Sequence, residues 1–331
     1  MERTYSQISS FKRCPKKYYY GYVLKLSPKK TRIPFLFGNY THNQLEAFYG
    51  NKDLLAASQT YFDKQTKGLF TEEKNMYMDM KETIDQIMER YARKYQSDFT
   101  KYNILEIEKK FSLPIPGTPD TLNGKIDLIL EDSSELLYIM EHKTTALSVK
   151  ERLNNVELDE QVDYYIWALT NYLKDEGINV NVAGCIYNVI RKKLPTIPRI
   201  LKKGGLTQDK SIDTTYEIYA KAIIDNNLDP KDYQQMLNLL KLKGDTFFGR
   251  EIVTRTPEAI KNVEKDLVAT VQAINNTTEF YRCASANCVR DCNFRELCIA
   301  EKNGKDTKSI LENFEIREHL NPELADEDEE E

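Results

Sequence analysis

The chain has 331 residues, 40% of them apolar and 30% charged, enough to bury a sizeable core in one elaborated domain or two small ones. No apolar run approaches the ~20 residues of a bilayer-spanning helix, and the opening MERTYSQISS has no apolar centre of the secretory kind. A membrane protein and a secreted disulfide scaffold are therefore excluded as expectations, and a reducing, cytoplasmic setting is expected.

Charge is uneven along the chain. The formal total is −5, but Asp326 to Glu331 are six consecutive acids, and with them set aside the total becomes +1. Contiguous like charges with nothing apolar to bury predict a disordered tail from 321 to 331, which could engage a recombination or replication protein. Near the start, Lys12, Arg13, Lys16, Lys17, Lys25, Lys29, Lys30 and Arg32 are interleaved with Tyr18, Tyr19, Tyr20 and Tyr22. Such a pattern suits a nucleic-acid backbone with stacked bases, or equally a solvated face over core tyrosines.

In chain order, residues 6–20 predict a short helix behind a serine cap, interrupted by Cys14-Pro15. A helix over Tyr40 to Tyr49 follows, then a long one over Thr71 to Tyr95, which lacks Gly and Pro and carries Met76, Met78, Met80, Ile84, Ile87, Met88 and Tyr91 as expected core positions. Strands are expected at Asn103 to Leu113, Lys125 to Leu130 and Leu136 to Lys143, a helix at Leu158 to Leu173, and a strand at Asn179 to Val189. Ile190 to Gly205 reads as a basic loop. Helices at Thr214 to Asn226 and Lys231 to Leu240, a strand at Thr246 to Thr256 and a helix at Pro257 to Ile274 lead into a cysteine-rich segment. The order of elements is mixed α/β.

Two of these strands carry chemistry. In GKIDLIL (124–130) and YIMEHKTT (138–145), the polar turn Glu131 to Glu135 predicts a hairpin that sets Asp127 across from Glu141. Side chains alternate along a strand, so Glu141 and Lys143 share a face and His142 takes the other. Two carboxylates and an ammonium suit Mg²⁺- or Mn²⁺-assisted hydrolysis of a phosphodiester. The competing reading is an ordinary cross-strand charge pair on a wet hairpin. The apolar flanks Ile126, Leu128, Ile129 and Leu130, with Leu136, Leu137, Tyr138, Ile139 and Met140, argue for a central strand pair, where buried charges need a metal or a partner.

Of six cysteines, four crowd the tail: Cys283, Cys288, Cys292 and Cys298. In a reducing compartment such a group is a metal site before it is a disulfide framework. Cys288, Cys292 and Cys298 offer three thiolates, and the fourth comes either from Cys283, as in a zinc knuckle, or from Cys14, which would tie the two ends of the chain together. Cys185, inside an apolar strand, is expected to be a core residue.

In this order, a CP-K-K-Y-Y opening, GNYTH (38–42), the G-x-x-D and E-x-K-T strands, a Q-x-x-x-Y helix and a closing cysteine triplet resemble the RecB-like branch of the PD-(D/E)XK nucleases. The likeness extends to members with an iron-sulfur cluster among bacteriophage exonucleases, CRISPR-associated nucleases and AddB-type nucleases. It implies a restriction-endonuclease-like α/β (α+β) core with a mixed central sheet flanked by helices, an added helical region and a cysteine-cluster tail. The corresponding division is a helical arm over 1–100, the nuclease core over 101–200, a helical and strand elaboration over 201–280, a cluster segment over 281–320 and the tail. It implies a metal-dependent DNA exonuclease of phage or bacterial recombination, repair or replication, phage-encoded in a bacterial cytoplasm. His42, Asp127, Glu141 and the His142 backbone carbonyl would hold Mg²⁺ or Mn²⁺, with Lys143, Gln161 and Tyr165 completing the catalytic group. Cys14, Cys288, Cys292 and Cys298 would hold a 4Fe-4S cluster, with zinc as the alternative. Lys16, Lys17, Arg191, Lys192 and Lys193 would contact DNA. The x₃ gap between Cys288 and Cys292 departs from the x₂ common in relatives, and the same fold could also serve as a catalytically weak binding or zinc-stabilised adaptor protein.

Overall fold

The computed structural model describes residues 1–30, 32–178, 180, 182–321 and 324. A short strand β1 (Glu2–Arg3) enters helix α1 (Tyr5–Arg13), whose first turn is capped by the Thr4 hydroxyl accepting from the Gln7 amide. Cys14 is extended (φ −167°, ψ 108°) because the following Pro15 disfavours a helical residue before it, so the chain restarts as α2 (Pro15–Tyr18). After β2 (Leu26–Pro28) comes α3 (Ile33–Tyr49), longer at its start than the sequence suggested because Pro34 sits in the first turn, where its missing N–H is not needed. Helix α4 (Leu54–Thr66) is not legible from apolar periodicity, since it buries only Ser58, Phe62 and Thr66. The long α5 (Thr71–Tyr95) has the expected bounds, but Met78, expected in the core, is exposed because it lies off the face that buries Tyr77, Met80 and Ile84; a single turn, α6 (Asp98–Lys101), leads into the sheet.

Strands β3 (Tyr102–Pro114), β4 (Thr121–Asp132) and β5 (Leu137–Thr145) form an antiparallel meander, with the expected hairpin between the last two. A short α7 (Val149–Leu153) and α8 (Glu160–Asp175) cross over to β6 (Val182–Arg191), which runs parallel to β5. The expected start of that strand, Asn179, lies outside the described residues. Helices α9 (Tyr216–Asp225) and α10 (Gln234–Lys243) form an excursion with a core of its own around Tyr219, Tyr233 and Leu240. Strand β7 (Phe248–Val253) then returns antiparallel to β6. Helix α11 (Pro257–Asn276), three short helices α12 (Asn287–Arg290), α13 (Arg295–Lys302) and α14 (Lys308–Leu311), and β8 (Phe314–Ile316) complete the chain.

The sheet order is β1-β4-β5-β6-β7, with β3 also on β4, and β2 pairs with β8 in a separate ribbon. Both faces of the main sheet are covered, as its apolar strands require. On one face α1, α8 and α11 bury Ile8, Phe11, Trp167, Leu267 and Val271 against Ile129, Ile139 and Tyr187. On the other, α3 and α5 bury Tyr40, Leu45, Phe48, Ile84, Met88 and Tyr91 against Leu128, Met140, Ile186 and Phe248. The N-terminal tyrosines contribute to packing: Tyr18 and Tyr20 are buried, and Tyr19 and Tyr18 lie against Phe280. Cys185 is fully buried in β6. The acidic run from 326 to 331 lies outside the described residues. None of the helices among the described residues is long and apolar enough to cross a membrane.

Candidate active site

The β4–β5 ladder pairs Glu131 with Leu137 through Leu128 with Met140 and stops one step short of Asp127 and Glu141. There the Asp127 carboxylate replaces the ladder, its Oδ2 accepting the His142 backbone N–H at 2.7 Å. The two acids thus meet where the strands part, as the hairpin predicted. Asp127 Oδ1 lies 3.5 Å from His42 Nδ1, presented by α3. Lys143 Nζ is held between Glu141 Oε1 at 2.5 Å and Gln161 Oε1 at 2.6 Å, and Gln161 Nε2 donates to the Tyr165 hydroxyl at 3.0 Å. The Q-x-x-x-Y spacing puts both residues on one face of α8, which begins at Asp159 capping the Gln161 N–H. All six side chains line one cavity of about 220 Å³, walled also by Thr4, Tyr5, Ser6, Asn123, Gly124, Lys125 and Leu324.

Burial sets the electrostatics. Asp127 is 7% and Glu141 2% exposed. Burial pulls Asp127 up, but the adjacent His42 charge and the hydrogen bonds from His42 and the His142 N–H hold it well below the usual carboxylate range. Glu141 is pushed up to about 7, by burial first and then by the Asp127 charge, against the pull of Lys143. Burial works against a charged Lys143, yet the Glu141 carboxylate keeps its pKa raised, so it is an ammonium at neutral pH. Burial similarly opposes a charged His42, and Asp127 overrides it. His142, on the opposite side of β5, is pushed down to about 3 by burial and stays neutral.

Glu108 was not singled out from the sequence. In β3 the pairs Ile107–Leu128 and Lys109–Ile126 bracket it level with Asp127, and its backbone takes the left-handed φ of 54°. That break in alternation re-aims its carboxylate into the site, where it pairs with Lys125. Ligand atoms of His42, Glu108 and Asp127 all lie within 4.8 Å of one another. An acid directly after Ile107 in an expected strand was the available signal.

The residues fit a divalent cation. Glu141 Oε2 is buried with no hydrogen-bond partner, an orphaned carboxyl oxygen of the kind a hard cation takes up, and the surrounding donors are carboxylate oxygen and imidazole nitrogen. The sequence matches the PD-(D/E)XK nuclease superfamily over residues 3–299. This chain belongs to that superfamily. PD-(D/E)XK nucleases generally use divalent metals, and their fold, a central mixed sheet flanked by helices, is the one seen here. No curated protein matches the chain. Among solved structures it is similar to a "Putative exonuclease" from Eubacterium rectale, at 14% identity and a TM-score of 0.43, over 87% of this chain and 86% of that one.

The basic residues expected at a PD-(D/E)XK nuclease's DNA path are mostly paired within the protein. Lys16 bonds Glu301 at 2.8 Å and lies over the Tyr19 and Tyr20 rings. Arg191 and Lys193 share Asp213 at 2.8 and 2.9 Å. Lys192 donates to the Pro34 carbonyl at the start of α3, and burial lowers its pKa. Lys17 faces the second notable cavity, about 450 Å³, lined by Cys14, Cys283, Cys288, Cys292 and Cys298 with Arg13, Lys16, Arg282 and Arg295. The Cys283 N–H points to Cys14 Sγ at 3.4 Å.

Proposed function

We propose that this nuclease is a metal-dependent DNA exonuclease acting on single-stranded or end-containing DNA in recombination, repair or replication. The observation that carries the reading is one cavity lined by the His42–Asp127 pair and by Glu141, whose second oxygen is unpartnered, beside an ammonium, Lys143, that Gln161 holds in place. Glu108 joins this ligand group, with the His142 carbonyl as a further oxygen. A divalent cation bound there supplies charge stabilisation at the phosphodiester oxygens. Lys143, kept protonated by Glu141, acts as a donor that orients the attacking water and offsets phosphate charge rather than as a base. Tyr165 fixes Gln161, and Gln161 fixes Lys143. Lys192, Arg191, Lys193, Lys16 and Lys17 are assigned to phosphate contacts, the paired ones exchanging an internal acid for DNA.

The cysteine cavity is assigned to a 4Fe-4S cluster held by Cys14, Cys288, Cys292 and Cys298. The cavity of about 450 Å³ and its basic rim of Arg13, Lys16, Lys17, Arg282 and Arg295 favour a larger anionic group over a bare zinc ion. Zinc with Cys283 is the alternative, and iron with labile sulfide against zinc in the purified protein decides between them. For the activity, anaerobically purified protein is assayed with Mn²⁺ and Mg²⁺ on end-labelled linear and closed circular single-stranded DNA. Degradation of linear DNA alone is expected, abolished in Asp127→Ala and Lys143→Ala; cleaved circles would refute the exonuclease assignment, and full activity in either variant would refute the site.

A further inference from the structure

Behind the cation site, on the side of β5 away from Lys143, lies a closed polar network with no role in the chemistry described so far. Arg250 of β7 is its centre. Its guanidinium donates to both Asp98 oxygens at 3.0 and 2.8 Å, to the Tyr49 and Tyr91 hydroxyls at 2.8 Å each, and through Nε to Asn188 Oδ1 at 2.9 Å. Asn188, fully buried in β6, sets its amide nitrogen 2.8 Å from His142 Nδ1.

This arrangement fixes a tautomer. A guanidinium has donors only, so the Asn188 oxygen is committed to Arg250 and its NH₂ must face His142. Nδ1 of His142 is then the acceptor, and the ring proton sits on Nε2, which is buried without a protein partner. The ring is also held face-on by Tyr49, centroids 5.6 Å apart at 18°, and edge-on by His42 at 6.1 Å. His42 and Tyr49 are seven residues apart on α3, two turns, and so share a face. One side chain, Arg250, therefore grips α3 through Tyr49 and β5 through Asn188 and His142. These are the two elements that must meet for His42 to reach Asp127, whose own position depends on the His142 N–H.

We propose that Arg250 and Asn188 are positioning residues of the cation site: they hold His142 as its Nε2–H tautomer and lock α3 to β5, so that His42 and Asp127 converge on one ion. The proposal rests on the nuclease reading above, and its test separates the two. Asn188→Asp is near-isosteric and keeps an acceptor for Arg250, but turns only acceptors toward Nδ1 and so forces the proton onto it. The tautomer is read in cation-free protein with ¹⁵N-labelled histidine by long-range ¹H–¹⁵N correlation, where the chain's three histidines are distinguished by substitution. Mn²⁺ affinity is read by electron paramagnetic resonance of the free ion.

The parent is expected to show Nε2–H at His142. Asn188→Asp is expected to show Nδ1–H, with Mn²⁺ affinity and kcat each reduced about 10- to 100-fold, as for other residues that orient metal ligands, and KM for DNA unchanged. Should Asn188→Asp not fold, Arg250→Lys, which keeps a positive charge for Asp98 but loses the fork to Asn188 and Tyr49, carries the same readouts. A parent in the Nδ1–H form, or a flipped tautomer with parental Mn²⁺ affinity, overturns this proposal alone; a parent that binds no Mn²⁺ overturns the nuclease reading with it.

Discussion

Gly124 tests how the aromatic wall of the site controls its lysine. Its φ is not in the left-handed region, so the backbone accepts alanine and only space opposes it. A Cβ there would stand 2.5 Å from Phe111 Cζ, 2.7 Å from Phe111 Cε1 and 3.3 Å from Tyr165 Cε1. Restoring ordinary carbon contact at about 3.5 Å requires roughly 1 Å of movement, and Phe111 is buried edge-to-face on Tyr165, centroids 5.8 Å apart. Gly124→Ala should therefore cost about 1–3 kcal/mol, the range for overpacking. Because Tyr165 holds Gln161 and Gln161 holds Lys143, the displacement reaches the ammonium, and a 1 Å misplacement of a catalytic group costs about 10²-fold in rate. Urea melts and kcat on linear DNA measure the two effects separately. Phe111→Leu removes the clashing ring atoms, so the double variant should recover much of the activity lost in Gly124→Ala. A single variant as stable and active as its parent, or a double variant no better than the single, would refute the chain of contacts from Gly124 to Lys143.

Glu108→Gln removes a charged oxygen from the group with His42 and Asp127 and should weaken Mn²⁺ binding by about tenfold or more, whereas Lys125→Met, which frees Glu108 from its ion pair, should tighten it; equal affinities by calorimetry would remove Glu108 from the site. Glu141, pushed up to about 7 from 4.5, binds a proton in the folded cation-free protein that the unfolded chain has already lost, so stability should fall as pH rises from about 4.5 to about 7 and level off above. Cation binding must expel that proton, so Mn²⁺ affinity should climb with pH up to about 7 and then plateau; a Mn²⁺-induced Tm shift that is flat between about pH 5.5 and 7 counts against it. Cys14→Ser should remove a brown iron-sulfur absorbance that Cys283→Ser retains, and the opposite pair of spectra would favour the zinc knuckle.

The strand pair around Asp127 and Glu141 was readable because its flanks are apolar on both faces, which leaves no room for a solvated hairpin. Gln161 and Tyr165 came from the resemblance to the PD-(D/E)XK nucleases, and their i, i+4 spacing then places both on one face of α8. Glu108 was not readable, because strand alternation assigns faces only while the backbone stays extended, and a left-handed residue in β3 breaks that rule. The basic residues were legible only in part. Composition shows Lys16, Arg191 and Lys193 but not that Glu301 and Asp213 neutralise them; Glu301 lies 285 residues from its lysine. The Arg250 network was equally invisible, since it joins α3, α5, α6, β5, β6 and β7 through residues ordinary in any one of them.

The two cavities are linked by one short element. Helix α1 spans nine residues, about 13 Å at 1.5 Å per residue. Tyr5 and Ser6 at its first turn wall the cavity of Asp127 and Glu141. Cys14, its C-terminal cap, lines the cavity of the cysteines. Its sides are fixed by Ile8 and Phe11 in the core, and its start by Arg3, which bonds Asp120 at 3.0 Å, Tyr18 at 2.7 Å and Asn275 of α11 at 2.6 Å. A ligand that binds Cys14 together with the C-terminal cysteines thus anchors the far end of the wall of the catalytic cavity. It need not touch DNA or the reacting phosphate to matter for turnover: with the helix held at both ends, Tyr5 and Ser6 keep their place, and with one end released the wall is left to its core contacts, Arg3 and the bonds of Lys12 to Glu160 and Tyr164 of α8.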